Sequence, residues 1–462
     1  MPSLAELAAR TPPTRDRYVD FLRVASLGGV ILGHYLMAVL VHDGDELSFT
    51  NVLGVAPWTR WMTLLLQVMP IFFVVGGFSH AVALCSLRRR GGGYADFAAE
   101  RIGRLVRPAL VFIGVWAVIA IAVDLATDGD AQIGAVLQIA GQLLWFIGIY
   151  LIAAGLAPVM LRVHERWGWR ALAALVAAVA LVDVLRLALD VPFVMWLNFA
   201  FVWLAVHQLG FFYADGVAER VGARRLGAVM LAVGAAVIAV LVAAGPHGIA
   251  MVSFAGEELS NLAPPTVALL AFAVAQAGVL LLLRDRVRPW LDRPRVWTGV
   301  IAAGSVAMTA YLWHFTALIL VLAAEYALVE PSPSGGSGAW WLLKLAELVP
   351  FLLLVVALVA AFRRFDRPPR RAGVVGPSRG RTAAAAIGVV CAIVGMLGFA
   401  VVGFRGLATG YVGHLAGIPM PSSVPIALVA ASALLTSLAA RPSAAAPDAV
   451  PPTSVGHGEE HS

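Results

Sequence analysis

The chain has 462 residues, of which 60% are hydrophobic and only 13% are charged, and its mean hydropathy is +0.86. This composition excludes a soluble globular protein, and no polar stretch reaches the size of even a small soluble domain. The 33 basic residues outnumber the 27 acidic ones and include a single lysine, Lys344, an arginine bias that is typical of a GC-rich genome and favours a bacterial inner membrane as the location.

Twelve apolar runs are long enough to cross about 30 Å of hydrocarbon. The sequence therefore predicts an all-α fold, a polytopic membrane bundle of twelve transmembrane helices. The runs cover residues 21–41, 61–84, 108–125, 139–161, 169–189, 192–213, 225–245, 264–284, 297–324, 340–362, 382–403 and 423–440.

Basic residues indicate which side of the membrane each loop occupies. If the N-terminus is inside, 29 of the 33 basic residues fall on the inner side, and four fall on the outer side, namely Arg60, Arg186, Lys344 and Arg405. Cytoplasmic loops of membrane proteins carry the excess of lysine and arginine. Both termini are therefore predicted to be cytoplasmic.

Composition divides the chain into five segments. We expect a cytoplasmic segment over 1–14, a membrane domain over 15–362, a basic cytoplasmic linker over 363–381, two additional helices over 382–440 and a disordered tail over 441–462. Cys85 and Cys391 show no pairing pattern, so the sequence predicts neither a disulfide nor a metal site.

The stretch from Arg15 to Val41, which contains the first run, carries Asp20, Arg23 and His34, and ionisable residues are rarely kept inside the membrane without a use. Arg23 and His34 are eleven residues apart, so a helix returns them almost to one face, with a rise of about 16 Å between them. An imidazole near mid-depth can accept a proton from a hydroxyl group at neutral pH. The alternative is a histidine that only bonds a neighbouring helix.

The second run reads QVMPIFFVVGGFSHA and combines flexibility with aromatic residues. Pro70 is expected to free a backbone carbonyl, and Gly76 with Gly77 permits a bend or a close helix approach. Together with Phe73, these residues are candidates for the wall of a tunnel.

The loop after the second run contains two arginine groups. Arg101, Arg104 and Arg107 are three residues apart, on one side of the entry to the next helix, and their guanidinium groups suit a ligand with several phosphates. Contact with anionic lipid is the open alternative, and it would explain the Arg88–Arg90 triplet completely.

Three further polar or aromatic residues lie inside later runs, namely Trp145, His207 and His314. Such residues either line a cavity or hold helices together.

Five stretches, in this order, resemble the acyltransferase-3 family of integral membrane O-acyltransferases. They are Arg15 to Arg23 followed by His34, Pro70 to Phe78, Arg101 to Pro108, Leu144 to Phe146, and Tyr311 to His314. The resemblance covers residues 15–362. It departs from the family pattern at Gly76, where the family usually has serine, and at Arg107, which is inserted before Pro108.

The resemblance implies acyl transfer, with O-acetylation as one form, from a cytoplasmic donor such as acyl-CoA to a hydroxyl group. The acceptor would be a sugar, a glycolipid, a cell-envelope polymer or a secondary metabolite. Acyl-CoA would be a co-substrate, and no cofactor, metal or nucleic acid is expected. The bundle would act alone or pass the acyl group to a separate extracytoplasmic partner. The implied catalytic residue is His34, and the implied donor- or acceptor-binding residues are Asp20, Arg23, Arg101, Arg104 and Arg107.

Two other classes of protein fit part of the pattern. Twelve helices with both termini inside also describe many secondary transporters, but the loop between the second and third runs lacks the glycine- and aspartate-containing signature of the major-facilitator carriers. A scaffold without chemistry would leave the shared face of Arg23 and His34 unexplained.

Overall fold

The computed structural model describes residues 4–43, 46–329, 332–366 and 373–441. Its α-helices are α1 (Leu4–Ala9), α2 (Arg17–Met37), α3 (Val52–Val55), α4 (Thr63–Leu66), α5 (Met69–Arg89), α6 (Tyr94–Thr127), α7 (Ala131–Gln142), α8 (Leu144–Trp167), α9 (Trp169–Leu187), α10 (Asn198–Ala214), α11 (Val217–Val221), α12 (Ala223–Ala244), α13 (Val267–Leu291), α14 (Pro294–Ser305), α15 (Ala307–Leu328), α16 (Gly338–Phe362), α17 (Arg379–Val402) and α18 (Ser423–Ala439). Two antiparallel hairpins pair β1 (Ala38–Asp43) with β2 (Glu46–Asn51) and β3 (Val412–Leu415) with β4 (Ile418–Pro421).

Each of the twelve apolar runs contains a helix, and the protein is a polytopic helical membrane protein. Within the described residues, ten helical segments are long and apolar enough to cross a membrane. The other two predicted spans differ in composition or length. Helix α9 carries Arg170, Asp183 and Arg186 among its 19 residues, and α18 has only 17 residues. Twelve crossings and cytoplasmic termini therefore stay predictions.

The boundaries of the first and third runs are corrected by the structure. Helix α2 begins at Arg17, where the Asp16 carboxylate accepts the N–H groups of Tyr18 and Val19, and it ends at Met37. The residues after Met37 form β1 instead, in line with the β propensity of branched residues such as Val39. Helix α6 begins at Tyr94, fourteen residues before Pro108. Its first turn is capped by the Asp96 carboxylate, which accepts the N–H of Gly93 at 2.9 Å.

The second and ninth runs are interrupted. Helix α5 begins at Met69, so Pro70 occupies the first helical turn, where its missing N–H frees no carbonyl inside the helix. This corrects the expectation that Pro70 frees a backbone carbonyl within the helix. The run predicted over 297–324 is divided at Val306 into α14 and α15.

Helices α5 and α10 approach each other closely through two glycines. A Cβ on Gly77 would lie 1.9 Å from the carbonyl oxygen of His207, and one on Gly210 would lie 2.1 Å from that of Val74. Only residues without a Cβ permit this backbone contact. The expected close approach is thus found at Gly77, and it sets α10 against α5.

The last two helices share the main hydrophobic core. Phe399 and Val429 pack in the same cluster as Phe112 of α6 and Leu144 of α8. Arg381 at the start of α17 donates to the Asp96 carboxylate at 2.9 Å and to the carbonyl of Ala439 at 2.7 Å. The two helices carry the β3–β4 hairpin between them. Part of the predicted linker, 367–372, and the predicted tail beyond residue 441 lie outside the described residues.

Candidate active site

A cavity of 1580 Å³ lies among α2, α8, α15 and the loops that are predicted to be outside the membrane. Its wall includes His34 on α2, Trp145 on α8 and Tyr311 on α15. The β1–β2 and β3–β4 hairpins contribute Asn51 and His414 at its edge. The cavity therefore opens toward the predicted outer side.

His34 is paired with His314 across the interface between α2 and α15. The Nδ1 of His34 lies 2.9 Å from the Nε2 of His314, and the rings are nearly parallel, with centroids 5.2 Å apart. Phe315 meets the ring of His34 edge-on at 4.9 Å. The imidazole of His34 is thus held in one orientation.

The hydrogen bonds also determine which nitrogen of each ring carries the proton. The Nδ1 of His314 is 2.5 Å from the carbonyl oxygen of Tyr311, which can only accept, so this Nδ1 is protonated. In the neutral ring the Nε2 of His314 is then an acceptor, and the Nδ1 of His34 must donate to it. The unprotonated Nε2 of His34 has no hydrogen-bond partner among the described residues, and His34 lines the cavity. The pair therefore presents a basic nitrogen to the cavity.

Neighbouring contacts hold the two helices that carry this pair. The Tyr311 hydroxyl donates to the carbonyl of Leu143 at 2.6 Å, which ties α15 to the start of α8. The hydroxyl of Tyr35, next to His34, donates to the carbonyl of Lys344 on α16. The helix that carries His34 and the helix that carries His314 are therefore each anchored to a further helix.

An aromatic layer borders the cavity where α5, α8 and α15 meet. We call it the aromatic floor, and it consists of Phe72, Phe73, Phe146, Tyr150 and Tyr311. Phe146 is central, with ring centroids 5.4 Å from Phe72, 5.5 Å from Tyr311 and 6.2 Å from both Phe73 and Tyr150. Phe146 and Tyr311 line the cavity, whereas Tyr150 lies behind Phe146.

Beyond the floor lies the inner arginine cluster, which we define as Arg23, Arg101 and Arg104. Arg101 and Arg23 are close enough to Tyr150 for their charges to interact with its hydroxyl. The Nε of Arg101 is buried without a hydrogen-bond partner among the described residues, whereas Arg104 pairs with Glu100 at 3.1 Å. An anionic ligand can therefore engage Arg101 without breaking an existing ion pair.

The remaining charged candidates have different surroundings. Asp20 bonds Arg15 at 2.5 Å and Arg23 at 2.9 Å, so its carboxylate orients the arginines. Arg107 is exposed one turn beyond Arg104. Arg88 pairs with Glu165 at 2.5 Å, on a different part of the same predicted surface.

Of the six residues expected to line a cavity, Trp145 lies in the wall and the other five do not. Phe73 stacks on Trp203 at 4.3 Å, and Gly76 is covered by Tyr150, whose hydroxyl would lie 2.9 Å from a Cβ there. The other three are Pro70, which is buried in the first turn of α5, His207, which bonds His80 at 2.9 Å, and His314, which stands behind His34.

Arg23 and His34 do not share one open channel. Helix α2 ends three residues after His34, so the imidazole is nearer the outer end of the helix than its expected mid-depth position. Arg23 is absent from the cavity wall, whereas His34 is part of it. The structure thus places the two residues in different surroundings.

Sequence reasoning missed several residues of the cavity wall. Asn51, Gln142 and His414 gave no local signal, because the tertiary fold alone brings their loops and helices together. Arg186 did give a signal in the sequence, since it is among the four basic residues on the predicted outer side. No group of three or more metal-ligating side chains occurs in the part of the chain that the structure describes.

The loop between α12 and α13, which is predicted to be outside the membrane, contains a half-buried carboxyl group. Burial raises the pKa of Glu257 to about 6, and its Oε2 has no hydrogen-bond partner within the described ranges. The next residue, Glu258, lines the cavity. Glu257 thus lies next to a residue of the cavity wall.

Comparison with known proteins gives one match. The sequence model of a family described as an acyltransferase domain matches residues 16–364. No curated protein and no solved structure matches the chain. The matched range contains His34, His314 and the inner arginine cluster, and it ends before α17.

Proposed function

The chain belongs to the acyltransferase-3 family and is a membrane acyltransferase, and we propose that it transfers an acyl group from cytoplasmic acyl-CoA to a hydroxyl group of an acceptor in the outer cavity. The observation that carries this proposal is the hydrogen-bonded chain from the Tyr311 carbonyl through His314 to His34. It leaves a basic nitrogen facing a space large enough for a sugar or a lipid-linked headgroup.

His34 acts as the general base in this proposal. Its Nε2 takes the proton of the acceptor hydroxyl while the oxygen attacks the thioester carbonyl carbon. The C–O bond forms, the C–S bond breaks, and the imidazolium returns its proton to the departing thiolate of coenzyme A. His314 is a positioning residue, because it bonds the opposite nitrogen and favours the positive charge that develops on His34.

The inner arginine cluster holds the donor. Coenzyme A carries several phosphates, and guanidinium groups bind phosphate oxygens through paired, charge-assisted hydrogen bonds. The unpartnered Nε of Arg101 supports this role. The thioester end then has to pass the aromatic floor to reach His34, a distance along α2 of about 16 Å from Arg23.

The acceptor enters from the other side, because the cavity opens among loops predicted to be outside the membrane. We propose a sugar, a glycolipid, a cell-envelope polymer or a secondary metabolite as its class, and the inner membrane of a bacterium as the location. A transporter is not favoured, since the family match supports acyl transfer.

Two measurements test the function. Mass spectrometry of envelope glycans and lipids from cells with and without the protein should reveal one lost acyl mass. The size of that mass identifies the acyl group, and the molecule that loses it is the acceptor. Purified His34→Gln protein in nanodiscs should bind acyl-CoA normally and transfer the acyl group about 10²–10⁴-fold more slowly, the usual effect of losing a general base. Near wild-type transfer by this variant would contradict the proposal, and an acyl group trapped on His34 would replace the base role with a covalent one.

A further inference from the structure

The cavity wall contains one strongly basic residue besides the histidines. Arg186 lies in the last turn of α9, and no other arginine or lysine lines the cavity within the described residues. Arg186 lines the same cavity as His34, but it projects from α9 and not from α2. It is also one of only four basic residues on the predicted outer side of the protein.

The other three outer basic residues are engaged by the protein itself. Arg60 donates to the carbonyl of Leu53 at 2.9 Å and lies 4.6 Å from the centre of the Phe254 ring. Lys344 pairs with Glu325 at 3.2 Å and with Glu347 at 2.8 Å. The guanidinium of Arg405 lies 4.5 Å from the centre of the Tyr411 ring.

Arg186 has no such partner. One of its terminal nitrogens, Nη1, is buried and makes no hydrogen bond with any described residue. Asp183 is one turn away, but its two oxygens accept from the Asn198 amide at 2.9 Å and from the Val267 N–H at 2.7 Å. Its charge still interacts with Arg186 at longer range, which helps to keep the guanidinium in place.

A buried N–H without an acceptor is destabilising, so such a group is retained where a ligand supplies the acceptor. We propose that Arg186 binds an acidic group, a carboxylate or a phosphate, of the acceptor molecule. The planar guanidinium suits two-point recognition of either group. Asp190 and Glu258 also line the cavity, and they repel an anion, so Arg186 is the charged side chain of the described wall that can attract one.

This inference rests on the proposed function only in naming the ligand as the acceptor, and binding can be measured without catalysis. The probes are glucose, glucuronate and glucose 1-phosphate, which differ mainly in their charge. Binding to full-length protein in nanodiscs is followed by the fluorescence of Trp145, Trp196 and Trp341, which line the cavity. We expect one or both anionic probes to bind at least about tenfold more tightly than glucose, because hydrogen bonds to charged groups are the stronger kind.

The preferred anion distinguishes a carboxylate from a phosphate ligand. Arg186→Gln should abolish the preference for charge, Arg186→Lys should keep part of it, and Arg405→Gln should leave it unchanged. Equal affinities for all three probes in the wild-type protein, or a charge preference that persists in Arg186→Gln, would overturn the inference.

The comparison of cell envelopes separates this inference from the proposed function. If an acyl mass is lost from a molecule that carries a phosphate or carboxylate, both stand. If it is lost from a neutral molecule, acyl transfer stands and the role of Arg186 is overturned. If no acyl mass is lost, the proposed function fails, and the binding of the three probes still decides whether Arg186 holds an anion.

Discussion

Replacing His314 with phenylalanine removes the partner of His34, the proposed general base, and keeps a ring next to it. The Nδ1–H of His34 then loses the nitrogen that accepts it at 2.9 Å. Nothing in the pair would then fix which nitrogen of His34 is protonated. The tautomer of His34 with an unprotonated Nε2 would then be only one of two, and the imidazole ring could rotate.

The size of the effect follows from the hydrogen bond that is lost. Leaving a buried donor without a partner costs about 1–3 kcal/mol, and each 1.4 kcal/mol corresponds to about a factor of ten. We therefore expect kcat to fall about 10- to 100-fold. The KM for acyl-CoA should stay the same, because His314 lies behind His34 on the cavity side of the aromatic floor.

The assay is acyl transfer by purified protein in nanodiscs, at matched amounts of folded enzyme. His314→Gln should restore much of the rate, since its amide oxygen can accept from His34. His164→Phe is a matched control, because it also removes a buried imidazole, which bonds Asp215 at 2.9 Å away from the cavity. Wild-type kcat in His314→Phe, or equal losses in the phenylalanine and glutamine variants, would refute the positioning role.

Four further results are expected. Replacing Arg101 and Arg104 together with glutamine should raise the KM for acyl-CoA about tenfold or more, whereas changing the Arg88–Arg90 triplet should mainly disturb topology. In a background without native cysteines, a cysteine placed at Gly92, just after that triplet, should resist an impermeant reagent in intact cells. Lys344→Met should destabilise the fold by about 3–5 kcal/mol, because it leaves two buried carboxylates without their cation. The pKa of Glu257 in the folded protein, about 6, exceeds its usual value of 4.5, so its stabilising contribution is present below pH 4.5 and is lost as the pH rises to 6. The unfolding temperature of Glu257→Gln should therefore rise relative to the wild type over this range.

Each of these results has a clear opposite. Equal KM effects from both arginine groups would mean that the inner arginine cluster contacts lipid and not a donor. Labelling of the Gly92 cysteine from outside would reverse the predicted orientation. A Lys344→Met protein with unchanged unfolding would show that the carboxylates lose their charge at little cost. A parallel pH dependence of the wild type and Glu257→Gln would assign the titration to another group.

The sequence predicted the helices well because membrane crossings depend on length and apolarity, which can be counted along the chain. It could not predict the hairpin at Ala38–Asn51 or the early start of α6, since both depend on local hydrogen bonds and pairing. His34 was found from its unusual setting in an apolar run. Its partner was recognised as a candidate, but the pairing across 280 residues requires the tertiary structure. His207 looked equivalent in sequence and belongs to a separate buried pair.

The core that surrounds the site has a consequence for how the protein is made. It joins Leu27 of α2 to Ala439 at the end of α18, and the β3–β4 hairpin completes the cavity edge. A chain emerging from the ribosome presents His34 among the first residues to enter the bilayer, and it supplies the last part of the cavity wall only at His414. During that interval the apolar sides of α6 and α8 that later meet α17 and α18 face lipid or the insertion machinery. The cavity is therefore complete only after the β3–β4 hairpin has been made, and a nascent chain released after the matched family region would carry His34 and His314 within an unfinished site.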